Sequence, residues 1–192
     1  MKNILLLTFL FCSATLFGQT IKVSATELAF LQSTTIVNFK VDLTKIKMGA
    51  FSSIEEWVEF RYNEVKLKEN KEEADKWKVA VEEGIKSGLE EFRNDFNAQL
   101  ERTAVRLKEG ATTVDYTAVL RVSEINVPEG FGNKPVELKG TLEFSKAGKI
   151  VSVVEILEVK GFPSGGIPMR IRSAFRRAGG HTGEKIYLMY FK

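Results

Sequence analysis

The chain has 192 residues, of which 28 are lysine or arginine and 25 are aspartate or glutamate, giving a formal net charge of +3. This balance excludes a nucleic-acid binder that works mainly by electrostatic attraction. One cysteine and one histidine are too few to supply the ligands of a C2H2 zinc finger, so the finger-linker sequence HTGEK at residues 181–185 is coincidental.

The first 18 residues have the pattern of a secretory signal peptide. Lys2 precedes a mostly apolar run over residues 4–17, and we expect cleavage between Gly18 and Gln19. The run is shorter than the roughly 20 apolar residues of a spanning helix, and no later stretch approaches that length. We therefore expect an exported chain with no transmembrane span.

Cys12 raises the alternative of a lipoprotein, because bacterial lipoproteins are cleaved just before an acylated cysteine. Phe11 stands where a small side chain is usual, which favours cleavage after Gly18 over acylation of Cys12. Removing residues 1–18 removes one lysine and no acid, which leaves 27 basic and 25 acidic residues and no cysteine. Such a chain must hold its fold by burial alone, without disulfides.

Residues 19–33 are a lead-in with no clean period, and we expect a single α+β domain over residues 34–192. Ser52 or Ser53 is a candidate N-cap for a short helix that follows. Before it, alternation predicts a strand with one buried face. That face would carry Thr35, Val37, Phe39, Val41 and Leu43.

A change of period from about Glu72 to Leu100 predicts a long amphipathic helix with an aromatic inner face. Trp77, Val81, Ile85, Gly88, Phe92, Phe96 and Leu100 form its stripe. Gly84 and Gly88 each weaken a helix by about 1 kcal/mol relative to alanine. We take them either as points of close approach to a sheet or as tolerated residues.

Three further strands alternate around residues 114–123, 136–145 and 149–160. Leu120 and Phe144 fall on the inner sides of the first two. The polar sides of these two strands and of the earlier strand carry Arg121, Glu143 and Asp42. The sequence SKAGK, in which Gly148 can adopt a positive φ, predicts a hairpin between the last two. The last strand is apolar on both sides, so we predict that it is the most central strand and that it contains a bulge.

The closing segment has a helical stripe from Ala174 to Tyr190 that runs through AGGHTGEK. Three glycines weaken this helix, so a break near Gly180 followed by a final strand is the competing interpretation. The whole order, strand, two helices, three strands, helix, predicts an α+β two-layer sandwich. We expect a mainly antiparallel four-stranded sheet with helices on one face.

Three stretches carry a resemblance to known proteins: VDYTAVLRVSEINVPEGFG, the strand ending LEVKG, and the closing RIRSAFRRAGG. Together they resemble small exported proteins of unknown function from the bacterial cell envelope. The arrangement also looks like periplasmic domains found at the N-terminus of the TolB protein or in curli-secretion lipoproteins. This resemblance implies an α+β fold in the periplasm or at the outer membrane, and it supplies no catalytic signature.

Catalytic residues are not evident. His181 is the single histidine and follows two glycines, so we expect an exposed or partly buried helix residue. The acidic pairs, such as Glu82 and Glu83, are adjacent on a helix and point in different directions. They predict a solvated face rather than a facing pair of catalytic carboxyls. We therefore expect no enzyme activity, no cofactor and no metal.

Two surface features are candidate binding sites. Arg170, Arg172, Arg176 and Arg177 form a basic cluster after the glycine-rich loop at residues 161–166, and such a helix start can bind anions. The partner would be an acidic envelope protein, an anionic lipid or lipopolysaccharide. Phe131 lies in the loop VPEGFGNKP. Its ring is either exposed, which would suit a protein contact, or folded back onto the edge of the sheet.

Our leading functional hypothesis is a non-enzymatic envelope module that binds another protein through one surface of the sandwich. It rests on the missing catalytic residues and on a polar strand face that carries both charge signs. The alternative is a carrier of a small hydrophobic ligand or lipid. Its pocket would lie between the sheet and the aromatic stripe of Trp77, Phe92 and Phe96.

Overall fold

One mixed sheet and three α-helices make up the computed structural model, which describes residues 21–23, 28–128 and 134–192. The strands are β1 (Ile21–Lys22), β2 (Ile36–Asp42), β3 (Lys47–Met48), β4 (Arg106–Glu109), β5 (Tyr116–Asn126), β6 (Glu137–Lys146) and β7 (Lys149–Lys160). The helices are α1 (Ile54–Lys68), α2 (Lys71–Gln99) and α3 (Ile167–Tyr190), and a 3-10 helix spans Ala29–Ser33. The α+β class is confirmed.

The prediction of a four-stranded, mainly antiparallel sheet is wrong. The described residues form seven strands, in the order β1-β7-β6-β5-β2-β4, and β3 also pairs with β5. Parallel pairing joins β2 to both β4 and β5, and β3 to β5. Alternation marks a strand but not its partner, and strands of two to four residues are too short to leave a pattern.

The antiparallel part of the sheet agrees better with the sequence. β5, β6 and β7 are antiparallel neighbours, and the turn between β6 and β7 places Gly148 at φ 77°. Both register shifts between β6 and β7 leave an extra residue on β7, which confirms the predicted bulge. The predicted central position of β7 is wrong, because its neighbour β1 pairs with only two of its residues.

The exposed second side of β7 explains that error. Ile150, Val151 and Leu157 are exposed, whereas Val154 and Ile156 are buried in the core. A strand with apolar residues on both sides is typical of the middle of a sheet. Here the outer set is left in solvent, so apolar composition on two sides does not place the strand.

The core lies between one face of the sheet and helices α2 and α3. Phe39, Leu120 and Phe144 point into it from β2, β5 and β6, and the Phe39 ring centroid lies 6.0 Å from that of Phe92 on α2. Phe92 and Phe96 are fully buried. The predicted inner face of β2 is confirmed at Val37 and Phe39, whereas Thr35 is exposed. The predicted stripe of the long helix is buried from Val81 to Leu100.

Glycines allow α2 and α3 to pack closely, side by side and in the same direction. A Cβ on Gly179 or Gly183 of α3 would run into the backbone of α2, and a Cβ on Gly84 of α2 would lie 2.9 Å from a backbone oxygen of α3. The contacts join Gly84 to Pro168, Gly88 to Phe175, Gly179 to Phe92 and Gly183 to Phe96. The close approach expected at Gly84 and Gly88 exists, but it is to a helix and not to the sheet.

Helix α3 continues without a break to Tyr190, which decides the closing segment in favour of the helix. Gly180 and His181 lie within it, and its buried side includes Ala174, Ala178 and Ile186. The predicted strand at the C-terminus is wrong. The glycines that weaken the isolated helix are the residues that let it contact α2.

Part of the lead-in before residue 34 packs into the fold. Leu28 and Leu31 are fully buried. The Gln32 amide donates a hydrogen bond of 2.6 Å to the Tyr190 carbonyl at the end of α3, and the Phe30 ring stacks on Tyr116 at 4.1 Å. The 3-10 helix thus joins the last turn of α3 to the start of β5.

Strand β4 ends the sheet on one side, and a side chain from α2 closes its outer edge. The Asn97 amide nitrogen donates to the Leu107 carbonyl at 3.0 Å, and the Leu107 N–H donates to the Asn97 side-chain oxygen at 2.8 Å. Asn97 thereby bonds both backbone groups of one edge residue, as a neighbouring strand would. Such cover protects an edge from pairing with another chain.

Helix α1 pairs with the first half of α2. The Ser53 side chain accepts a hydrogen bond from the Glu56 N–H, which confirms a serine N-cap at this point. The ring centroids of Trp57 of α1 and Trp77 of α2 lie 5.6 Å apart. Trp77 therefore packs against α1, apart from the sheet-facing part of the predicted aromatic stripe.

Candidate functional site

The second face of the sheet is the candidate site, because no helix covers it within the described residues. Lys40 of β2, Val119 of β5, Glu143 of β6 and Val153 of β7 lie side by side on this face by strand register. They are exposed or partly exposed. We call this surface the open face. It is the polar strand face with both charge signs that the sequence predicts.

Ion pairs between neighbouring strands cover much of the open face. Lys139 of β6 bonds Glu124 of β5 at 3.0 Å, Lys160 of β7 lies 3.4 Å from Glu137 of β6, and Lys22 of β1 lies 3.2 Å from Glu155 of β7. Exposed pairs of this kind contribute little to stability. They arrange both signs of charge at fixed positions on the surface.

Arg121 of β5 joins three strands at the centre of this network. Its Nε donates to Glu143 of β6 at 2.8 Å, and its Nη1 donates to Asp42 at the end of β2. The side chain is 48% exposed. Register explains the contact, because Asp42 and Arg121 are partners in the parallel β2–β5 pair.

A cleft of about 250 Å³ opens beside Arg121. It lies where β5 loses its parallel neighbour: β2 pairs with β5 up to Arg121, and β3 takes over only at Glu124. Val122 and Ser123 have no partner strand on this side among the described residues. The cleft is lined by Asp42, Lys45, Arg121, Ser123, Gly140 and Thr141.

A bulge in β5 shapes the floor of the cleft. The β5–β6 register shifts between Val122 and Glu124, which leaves Ser123 as the extra residue. Gly140 lies opposite, and a Cβ at that position would overlap the Arg121 carbonyl oxygen. The cleft therefore depends on glycine at residue 140.

Asp42 and Arg121 are held in their ionised forms. Hydrogen bonds from the Thr44 hydroxyl and N–H, together with the Arg121 charge, lower the pKa of Asp42. The bond to Glu143 raises the pKa of Arg121. Both oxygens of Asp42 are used, since Oδ1 accepts from Thr44 at 2.6 and 3.0 Å and Oδ2 accepts from Arg121.

The four predicted arginines of α3 have separate partners. Arg170 is buried and donates to the Lys134 carbonyl at 2.9 Å, so it holds the end of the loop before β6. Arg172 bonds Glu91 of α2, and Arg176 lies 3.5 Å from Asp95 of α2. The Arg177 guanidinium stacks 5.2 Å above the Phe162 ring. Arg170, Arg172 and Arg176 therefore bond other parts of the fold, and Arg177 covers the Phe162 ring.

The remaining sequence predictions concern Phe131, His181, metal binding and a membrane span. Phe131 lies outside the described residues. His181 is partly buried, and burial and the Arg177 charge lower its pKa. Within residues 21–23, 28–128 and 134–192, no three or more acidic, histidine or cysteine side chains come together in a way that would bind a metal. No helix of this part is long and apolar enough to span a membrane.

Sequence reasoning identified the outward positions of Asp42, Arg121 and Glu143 but not their contact. The missing information was the parallel pairing of β2 with β5, which brings residues 79 positions apart into one ion pair. The signal available in the sequence was the glycine at residue 140 inside an otherwise regular strand, because such a glycine often marks a bulge.

Comparison with known proteins gives no family. No family model and no curated protein matches the chain. Among solved structures, the PelC dodecamer from Paraburkholderia phytofirmans in space group P6 matches at 18% identity and a TM-score of 0.35, over 50% of this chain and 73% of that one. A variant of the same dodecamer in space group C2 matches at 10% identity and a TM-score of 0.38, over 84% and 95%. Similarity at these scores identifies neither a fold nor an activity.

Proposed function

We propose that the protein is a non-enzymatic binding module of the bacterial envelope that docks another protein on the open face of its sheet. The observation that carries the proposal is this face, which is uncovered within the described residues and carries ordered charges of both signs. Electrostatic complementarity across an interface selects partners and fixes their register. The signal-peptide pattern of residues 1–18 supports binding outside the cytoplasm.

The composition of the open face supports a protein partner. The cross-strand row runs in the order Lys40, Val119, Glu143, Val153, so charge alternates with aliphatic surface. Protein interfaces combine apolar contact area with hydrogen-bonding groups at the rim in this way. An enzyme would need a base free to activate a nucleophile at the cleft, and the lining carboxylate Asp42 already accepts hydrogen bonds from Thr44 and Arg121.

The carrier hypothesis receives no such support. Phe92 and Phe96 are fully buried, and Phe39 lies against Phe92. Trp77 contacts α1 instead of the sheet. The described side chains therefore occupy the space in which a ligand between sheet and long helix would bind.

Site-specific photo-crosslinking in cells of the native host tests the proposal. A photoreactive residue at Val119 or Val153 is expected to capture one reproducible envelope protein. Lys86, an exposed residue of α2 on the opposite layer, is the matched control position. Capture at the open face with none at Lys86 supports docking there. Equal capture at all positions, or capture at Lys86 alone, would contradict it.

A further inference from the structure

We infer that the cleft beside Arg121 is a binding site for a carboxylate, which an acidic side chain of the docked partner supplies. This inference rests on the proposed function and names the chemistry of the partner at one point. It follows from which polar groups of the cleft are already used and which are left.

The two carboxylates at the cleft, Asp42 and Glu143, already accept hydrogen bonds from neighbouring residues. Asp42 accepts from Thr44 and Arg121 with its two oxygens. Glu143, just behind the cleft, accepts from Arg121 with Oε2 and lies 3.5 Å from the Thr141 hydroxyl with Oε1. A ligand that brings hydrogen-bond donors would have to break these bonds.

Donors, in contrast, remain. Arg121 uses Nε and Nη1, and Nη2 has no acceptor among the described residues. Lys45 is exposed and forms no ion pair within the described part of the chain. The Ser123 hydroxyl is exposed on the bulge. These three groups line one cleft. Asp42 and Glu143 already pair with Arg121, so Lys45 is the lining cation that forms no ion pair among the described residues.

An ionised carboxylate complements this set. It accepts several hydrogen bonds at once, and bonds between charged groups are the strong ones. A planar guanidinium that is already fixed by Asp42 and Glu143 loses little freedom when it binds a third acceptor. The missing strand neighbour at Val122 and Ser123 leaves the room for the chain that carries the carboxylate.

Titration of the ¹⁵N-labelled protein with an acetylated hexaglutamate peptide tests the inference, with hexaglutamine as the uncharged control. We expect saturable amide shifts at Ser123, Gly140 and Thr141 with hexaglutamate, weaker at higher salt. Hexaglutamine should leave them unchanged. Shifts only on the helical layer, or equal shifts with both peptides, would overturn the inference.

Two variants locate the donors. Lys45→Gln and Arg121→Gln are each expected to weaken hexaglutamate binding about two- to fivefold, as for one exposed ionic contact. Lys149→Gln, at an exposed lysine that begins β7, is the matched control and should bind as the unchanged protein does. Lys45 lies outside the Arg121–Asp42–Glu143 bonds, so its variant removes a donor without disturbing them. Unchanged binding in Lys45→Gln would overturn the inference.

The two proposals fail separately. A protein captured at Val119 without any hexaglutamate shift at the cleft would leave the docking proposal standing and remove the carboxylate site. Hexaglutamate binding at the cleft, with no protein captured on the open face, would contradict docking and keep the chemistry of the cleft.

Discussion

The two faces of the sheet are built from the same strands but differ in their residues: one is apolar and covered by helices, and the other is charged and open. On the covered face, Phe39 and Phe144 are buried, and helices α2 and α3 contact each other at glycines. On the open face, Asp42, Arg121 and Glu143 form exposed ion pairs that contribute little to stability. We therefore expect substitutions on the covered face to change stability, and substitutions on the open face to change the proposed binding with little effect on stability.

The largest expected effect is on the contact between the two helices. Gly179→Ala places a methyl group against the Phe92 carbonyl, so α2 and α3 must separate. Overpacking of this kind costs about 3 kcal/mol. We expect a corresponding loss in the free energy of unfolding by denaturant titration. The adjacent Gly180→Ala is the control, because its Cβ would lie 3.9 Å from the nearest side-chain atom of Asp95. It should be neutral or gain up to about 1 kcal/mol of helix propensity.

The next effect concerns the edge of the sheet. Asn97→Ala leaves the Leu107 N–H and carbonyl without their partners, which costs about 1–3 kcal/mol for groups that stay shielded from water. We expect a lower thermal midpoint and concentration-dependent association by light scattering. Asn94→Ala, one turn earlier on the exposed side of α2, should show neither. A monomeric Asn97→Ala variant of unchanged stability would show that water replaces the amide.

Acid should act on the two layers in different pH ranges. Hydrogen bonds from Thr44 lower the pKa of Asp42, so its stabilising contribution is present above the usual carboxyl pKa of about 4 and is lost as the pH falls through its lower folded value. Burial lowers the pKa of His181, so its contribution is present above about 6.5 and declines as the pH falls below that.

Stability measured against pH separates these contributions. His181→Gln is expected to flatten the dependence just below pH 6.5, and Asp42→Asn to flatten it only below pH about 4. Identical profiles for His181→Gln and the unchanged protein would show that His181 has the same pKa folded and unfolded.

The smallest effect on stability is expected on the open face. Arg121→Gln removes two exposed ion pairs and should leave the thermal midpoint close to that of the unchanged protein. The same variant is expected to weaken hexaglutamate binding. A large loss of stability would contradict the separation of the two faces.

The sequence predicts local structure here better than it predicts contacts. Alternation predicted β2, β5, β6 and β7. The helical period predicted that α3 continues across its glycines, as it does. The sequence pattern did not predict the strand order, because packing between distant segments determines which strands lie beside β2. Gly84 and Gly88 were recognised as unusual, but a spacing of four residues fits contact with a sheet or a helix equally well.

The candidate site was predictable only as a surface. Outward positions on a strand follow from alternation, so Asp42 and Arg121 were expected to be solvent-facing. Their contact needs the β2–β5 register, and the cleft needs the interval between β2 and β3, which no periodicity encodes. The arginines of α3 were conspicuous because they are close in sequence, yet their contacts with Glu91, Asp95 and Phe162 are structural.

The amide of Asn97 also limits how copies of this protein can join. Unlimited growth of a sheet by strand addition needs two available edges on every subunit, one to accept a neighbour and one to offer itself. A subunit whose β4 edge is already occupied by its own side chain can add a strand at the opposite edge only. If the opposite edge can accept a strand, edge-to-edge pairing would stop at two subunits, and the bonds of Asn97 to Leu107 would favour a closed pair over an open-ended polymer.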